Sequence, residues 1–368
     1  MFEWFKTLLM GRRPSRSLKG YQWSDAHASP PQEKGPREVP VVPVVEVTTD
    51  QVEGPWLRGG LPACASADTL RTELLRALYE EQSHLNAPED IAFIGRLIQV
   101  VGTAKLEFPP FPNVARELDA LLKERDPSMF QVVALVEQDP ALVRRVWVSG
   151  SGAAYVHPPS GLHHAIARIG FDALWRIGMA VCLNSQVFRV RGYQRAADAV
   201  RTHGILVGEL AAWLRDERRG HHFLSGLLHD VGKLVVYRAA SVRDGLTAPS
   251  GHLVQMMVDR HHPSLSLLAA HAWSLGDDVA QAVGYHHHPV SAPDSVKEIS
   301  RILWAADVAA HTVQEARAGR DCGGLAELER IAGLPKSPQA LLRKAQALLE
   351  ELDQQEVQEA EAADLQAG

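Results

Sequence analysis

The run FLSGLLHDVGKLVVYR, residues 223–238, sets His229 and Asp230 side by side among Leu224, Leu227, Leu228, Val231 and Leu234. Apolar residues at that density draw the segment into a core, and a carboxylate drawn in with them must be paired or bound to metal. Any fold open to this chain therefore has to bury the run as a helix and still supply partners to the pair. Lys233 is the local structural candidate, through a salt bridge to Asp230. The alternative is a metal, supplied with further ligands by other segments.

Histidine is the residue that could supply them. Of 17 histidines, twelve fall between His203 and His311, in under a third of the chain. Neutral imidazole is the commonest metal ligand and the natural acid or base near neutral pH. VRTHGILVGELAAWL carries His203 in an apolar helical pattern, His261 and His262 precede Pro263, YHHHP holds His286, His287 and His288, and ILWAADVAAH holds Asp307. Any one of these alone reads as a hydrogen-bonded core residue; the ordered series reads as a site.

Apolar residues at spacings of three and four dominate from Ser66 onward, and strand alternation is scarce, so the chain is expected to be all-α. Leu70, Leu74, Leu75 and Leu78 form one such stripe, and PEDIAFIGRLIQVVG repeats the pattern. FPPFPNVARELDALLKERD opens on prolines that fix a turn before a helix striped by Val114, Leu118, Leu121 and Leu122. Gly150 and Gly170 stand where helix stops are expected. Residues 1–65 are rich in Pro, Gly, Ser and charge and read as a disordered tail or linker. Residues 66–105 read as a helical lead-in, and 311–368 as C-terminal helices with an acidic tail in which no basic residue follows Lys344.

Composition narrows the function classes. With 46% hydrophobic and 22% charged residues the chain has material for a core, and its net charge of -6 gives no electrostatic footprint for specific nucleic-acid binding. Cys64, Cys182 and Cys322 are too scattered for a disulfide framework or a thiolate zinc site, which fits a reducing, cytoplasmic compartment. No transmembrane run or export leader is expected. The opening MFEWFKTLLMGRR places Phe2, Phe5, Leu8 and Leu9 on one helical face before Arg12 and Arg13, a pattern suited to a membrane surface, against which stands a frayed terminal turn. Trp147, Trp175, Trp213, Trp273 and Trp304 are expected in core packing rather than in a stacking platform for bases.

The series of histidines and aspartates resembles the HD superfamily. The resemblance implies that His203, His229, Asp230 and Asp307 bind a divalent metal, with His262, His286 and His287 at the positions that further ligands occupy in members holding two or more ions. Iron, manganese, zinc and magnesium are not distinguished by it. Within that superfamily the chain is identified as a member of the HDOD group, on FPPFPNVARELDALL, QDPALVRRVWVSGSGAAYV, LHHAIARIGFDALWRIGM, HDVGKLVVYR and HHPSLSLLAAHAWSLGDDVAQAVGYHHHP. It implies an HDOD domain over residues 106–310, with an N-terminal lobe at 106–185 and an HD-like lobe at 186–310.

Two functions follow from the resemblance. One is a cytoplasmic signal-transduction or regulatory protein whose module binds protein partners and a metal. The other is a metal-dependent phosphohydrolase acting on a nucleotide or phosphodiester, in which Lys233 would sit near a phosphate oxygen; against that stands the plainer reading of Lys233 as an exposed helix lysine. YHHHPVSAPDSVKEIS lacks the Gly-Tyr-Pro signature of the phosphodiesterase branch, and the balance favours binding without turnover. The oligomeric state is left open.

Overall fold

The computed structural model describes residues 66–103, 113–151, 157–183, 190–217, 220–241, 247–320 and 323–367; the expected N-terminal tail, residues 1–65, lies outside them. Among the described residues every regular element is a helix. The first two form a hairpin, α1 (Ala67–Ser83) against α2 (Pro88–Gly102). The Ser66 hydroxyl accepts the Thr69 N–H at 3.2 Å to start α1, whose Leu70, Leu74, Ala77 and Leu78 are buried. Pro88 opens α2, where an N–H is not required, and Glu89 and Asp90 sit in its positive first turn.

α3 (Asn113–Leu122), α4 (Met129–Val136) and α5 (Pro140–Gly150) pack on α6 (Leu162–Leu183). Asp139 caps α5, its Oδ1 accepting the N–H groups of Ala141 at 2.8 Å and Leu142 at 3.2 Å. The glycine read as a stop, Gly170, takes φ 78° and puts a sharp kink in α6, after which the helix resumes. Only glycine enters that region without strain.

The remaining helices are α7 (Gln194–Leu214), α8 (His221–Leu228), α9 (Val231–Ala240), α10 (Gly251–Ala272), α11 (Asp277–Gly284), α12 (Lys297–Arg317), α13 (Gly324–Arg330) and α14 (Pro338–Ala367), with a single 3₁₀ turn at Pro289–Ser291 before α12. α7 packs against α8 and α12, and α10 against α9 and α11. One apolar core runs from Leu70 through Leu118, Leu174 and Phe223 to Met257 and Val283. A second joins Leu206 and Leu210 of α7 to Ile302 and Ala306 of α12, Leu328 of α13, and Leu341 and Leu349 of α14. Helix α12 is thereby clamped between α7 and the two C-terminal helices.

The lead-in hairpin is tied to the later helices. Arg96 Nε donates to the Ala239 carbonyl at 2.6 Å, Asp90 Oδ1 accepts the Ser250 N–H at 2.7 Å, and Arg260 pairs with Glu81. Among the tryptophans, Trp175 and Trp273 are buried, Trp304 packs against the second core, and Trp213 lies beneath the Lys336 ammonium, 4.1 Å from the ring centroid. Trp147 departs from the core expectation at 40% exposed, because Leu142 and Val146 define the buried stripe of α5 and the next position turns away from it.

Candidate metal centre

His229 and Asp230 do not lie inside one helix, as the apolar run suggests. α8 ends at Leu228 and α9 begins at Val231, and the pair forms the joint between them, with Asp230 at φ -102° and ψ 6°. Glycines on both sides let the joint meet its neighbours at backbone distance. Gly226 lies on Gly208 of α7, and a Cβ on Gly232 would stand 2.1 Å from the His262 carbonyl oxygen of α10. The Gly232 N–H also donates to the Ser266 hydroxyl at 2.7 Å, which fixes α9 against α10.

All seven residues singled out in the sequence meet here. His203 comes from α7, His262 from α10, His286 and His287 from the turn after α11, and Asp307 from α12. His203 Nε2 lies 2.9 Å from Asp307 Oδ1, and His229 Nε2 lies 3.8 Å from the same oxygen. Asp230 stands between two groups, its Oδ2 3.4 Å from His229 Nε2 and its Oδ1 3.4 Å from His262 Nε2 and 4.0 Å from His286 Nε2. His262 and His287 bring their Nε2 atoms to 3.0 Å. His261 joins none of the convergent groups, which separates it from its neighbour His262.

The orientation of the imidazoles is as informative as their positions. His229, His262 and His286 each direct Nδ1 at a backbone carbonyl, of Gly226 at 2.7 Å, Val258 at 2.7 Å and Val283 at 2.5 Å. A carbonyl only accepts, so Nδ1 carries the hydrogen and Nε2 presents its lone pair to the centre. Buried Nε2 of His229, Nε2 of His286 and Oδ1 of Asp230 have no hydrogen-bond partner. Each such orphan costs about 1–3 kcal/mol, and a cation among them removes the cost. The donor set fits a divalent metal.

Electrostatics supports the same arrangement. Burial opposes ionisation of Asp230, yet His229 and Lys233 hold it well below the ordinary carboxylate range. Burial likewise acts against Asp307, and the hydrogen bond from His203 with the nearby charge of His229 outweighs it and lowers the group. Burial alone would lower His229; the Asp230 and Asp307 carboxylates reverse this and raise it. His262 and His286 are pushed well below the usual imidazole range, first by burial and then by Lys233 and His287 respectively. Ionised carboxylates and neutral imidazoles are the forms that bind metal, which Asp230, Asp307, His262 and His286 favour; His229 is the exception, its two carboxylates favouring a proton where a metal would bind.

Lys233 makes the local salt bridge, its Nζ 2.6 Å from Asp230 Oδ2. His229, Asp230, His262 and His286 form the buried floor, while His287 is exposed and His203 and Asp307 are partly so. Solvent therefore meets the centre from one side. The sequence reading missed Gln314, whose Oε1 lies 2.9 Å from His203 Nδ1. Its signal was a spacing: Gln314 follows Asp307 by two helical turns and shares its face of α12.

Helices converging a paired His–Asp, further histidines and a distant Asp on one point define a protein of the HD type. The chain is an HDOD domain protein, the model of the HDOD domain matching residues 108–289. Asp307 and Gln314 lie beyond that segment. An uncharacterized protein of Treponema pallidum (strain Nichols) is 23% identical over 214 residues, a match spanning 54% of this chain and 41% of the relative, less than half its length. Among solved structures, an HDOD domain protein of unknown function from Geobacter sulfurreducens is 18% identical with a TM-score of 0.47, covering 80% of this chain and 98% of its own. A Shewanella amazonensis SB2B protein described as a “putative metal-dependent phosphohydrolase” is 18% identical with a TM-score of 0.49, covering 76% of this chain and 99% of its own.

Proposed function

We propose that this protein is a cytoplasmic signal-transduction module that binds divalent metal at His203, His229, Asp230, His262, His286, His287 and Asp307 and acts through protein partners. The observation that carries the metal assignment is the set of buried, unpartnered Nε2 and carboxylate atoms aimed at one another. His203, His229 and Asp307 form one group of converging donors and His262, His286 and His287 another. Asp230 lies between them, which suits a centre for two ions. Imidazole-rich donors favour iron, manganese or zinc over magnesium, which prefers oxygen ligands and retained water.

The regulatory assignment rests on the HDOD match and on the absence from YHHHPVSAPDSVKEIS of the substrate-side Gly-Tyr-Pro signature. A second reading, phosphohydrolysis, is favoured by one observation: the centre meets solvent at His287, His203 and Asp307, so a ligand has a way in. A bound divalent ion supplies Lewis-acid charge there. The chain's own groups then divide the work. His229, Asp230, His262 and His286 would hold the ion on the buried floor, and Lys233 holds Asp230 in place and keeps it ionised.

The test is incubation of metal-loaded protein with a panel of phosphodiesters and nucleotides, beside the double variant His229→Ala/Asp230→Ala. Metal uptake with no turnover supports the regulatory reading. Turnover by the wild type that is lost in the double variant establishes the phosphohydrolase instead.

A further inference from the structure

A cleft of about 560 Å³ opens where α3 and α6 meet α8 and the loop after α10, and none of the seven residues of the centre lines it. That volume lies in the range of small-molecule sites, about 300–1,000 Å³. Its floor is carbon. Leu122 and Trp175 close the back and are almost wholly buried, while Leu224 and Leu275 form partly buried sides. The polar atom of the indole is already engaged, Trp175 Nε1 donating to Asp119 Oδ1 at 2.8 Å, so the ring offers only apolar surface to the cleft. A turn at the end of α10 carries Leu275 into place: the Leu275 N–H donates to the Ala270 carbonyl at 3.2 Å and the Ser274 N–H to the His271 carbonyl at 2.9 Å. Ser274 stands there at φ 57°, where glycine is usual, and so adds a hydroxyl-bearing residue to the rim.

The charges at the mouth face one another. Lys123 Nζ lies 2.7 Å from Asp119 Oδ2, and His221 Nδ1 lies 3.6 Å from Asp278 Oδ2. An anionic ligand therefore finds no free cation, and a cationic one finds only Glu124, exposed at the rim, where an ion pair contributes little. A charge carried into the cleft would lose its hydration without compensation. The cleft also has a mechanical connection. Gly220, His221 and Leu224 line it from the start of α8, and about 12 Å further along, at the other end of the same helix, comes His229. We propose that this cleft is an effector site for a small, neutral, bicyclic aromatic molecule, and that α8 conveys its occupancy to His229. The site stands apart from the metal reading, because neither its lining nor its link to His229 requires an ion.

Titration of the full-length, metal-free chain with indole, indole-3-acetate and tryptamine tests it, followed by NMR of the leucine methyls and histidine rings. Indole should bind with a Kd of about 1 mM or tighter. It should shift the methyls of Leu122, Leu224 and Leu275 and the ring of His229, and bind about tenfold more tightly than either charged homologue. Leu224→Trp fills the cleft and should abolish these shifts in a chain shown to be folded by circular dichroism. If that variant unfolds, the location of the shifts in the wild type decides. No saturable binding of indole, shifts confined to other residues, equal affinity for the charged homologues, or wild-type affinity in folded Leu224→Trp overturns the assignment. Binding in the cleft that leaves the His229 ring unmoved overturns the effector role.

Discussion

Gly226 of α8 rests on Gly208 of α7, so closely that a Cβ on Gly226 would lie 2.5 Å from the Gly208 Cα. This contact sets the separation of the two helices that carry His203 and lead into His229, whose rings stand 5.1 Å apart. The neighbouring atoms are backbone and cannot rotate away. Gly226→Ala should therefore cost about 1–3 kcal/mol or more and spread the two histidines. Thermal unfolding and metal titration check it; a variant as stable as the wild type with unchanged affinity contradicts the account of how the centre is built.

Metal removal should loosen the same region. An ion that binds only the folded chain stabilises it by mass action, and saturation well above the dissociation constant raises Tm by about 5 °C or more. Calorimetry of chelated and reloaded protein measures this, and the shift should vanish in His229→Ala/Asp230→Ala.

Glu217 ties the start of α8 to the chain before it. Its carboxylate accepts the backbone N–H groups of His222 at 3.0 Å and Phe223 at 3.2 Å, and faces His222 Nδ1 at 3.2 Å. Burial would raise it; the interactions with His222 and these N–H groups outweigh burial and lower it. A depressed carboxylate binds fewer protons folded than unfolded, so its contribution is complete above the ordinary range near 4.5 and is lost as pH falls through the folded value. Glu217→Gln should cost about 1 kcal/mol at neutral pH, with the gap closing in acid. Urea unfolding across pH tests both parts, and a gap that widens in acid refutes the assignment.

Leu341 of α14 is fully buried in the cluster that clamps α12. Leu341→Ala should cost about 2–5 kcal/mol. Because α12 carries Asp307 and Gln314, metal affinity should fall as well, which a loss confined to a peripheral helix would not cause. Parallel unfolding and metal titrations distinguish the two.

Much of this architecture could be read from spacing. The stripe of Leu70, Leu74 and Leu78 and a break at Gly170, which proves to be a kink rather than a stop, follow from local geometry that short segments carry in full. The convergence of His203, His229, Asp230, His262, His286, His287 and Asp307 was accessible through resemblance, since nothing local brings residue 203 to residue 307. The joint at His229–Asp230 was not legible, because its cause lies in other helices: Gly208 and the His262 carbonyl press on Gly226 and Gly232. Gln314 was missed because its one signal, a spacing of two helical turns from Asp307, is shared by any residue on that face and means little until the His203 ring it faces is known. The exposure of Trp147 followed from the stripe of α5, which its size overrode in the sequence reading.

The central claim is that the buried donor set holds a divalent metal. Elemental analysis of protein purified without added ions and then equilibrated with iron, manganese or zinc tests it most directly, beside His229→Ala/Asp230→Ala with its folding checked by circular dichroism. The account predicts stoichiometric retention of at least one of these metals by the wild type and none by the folded double variant. A wild type that retains no ion after equilibration, or a folded double variant that retains as much as the wild type, contradicts it.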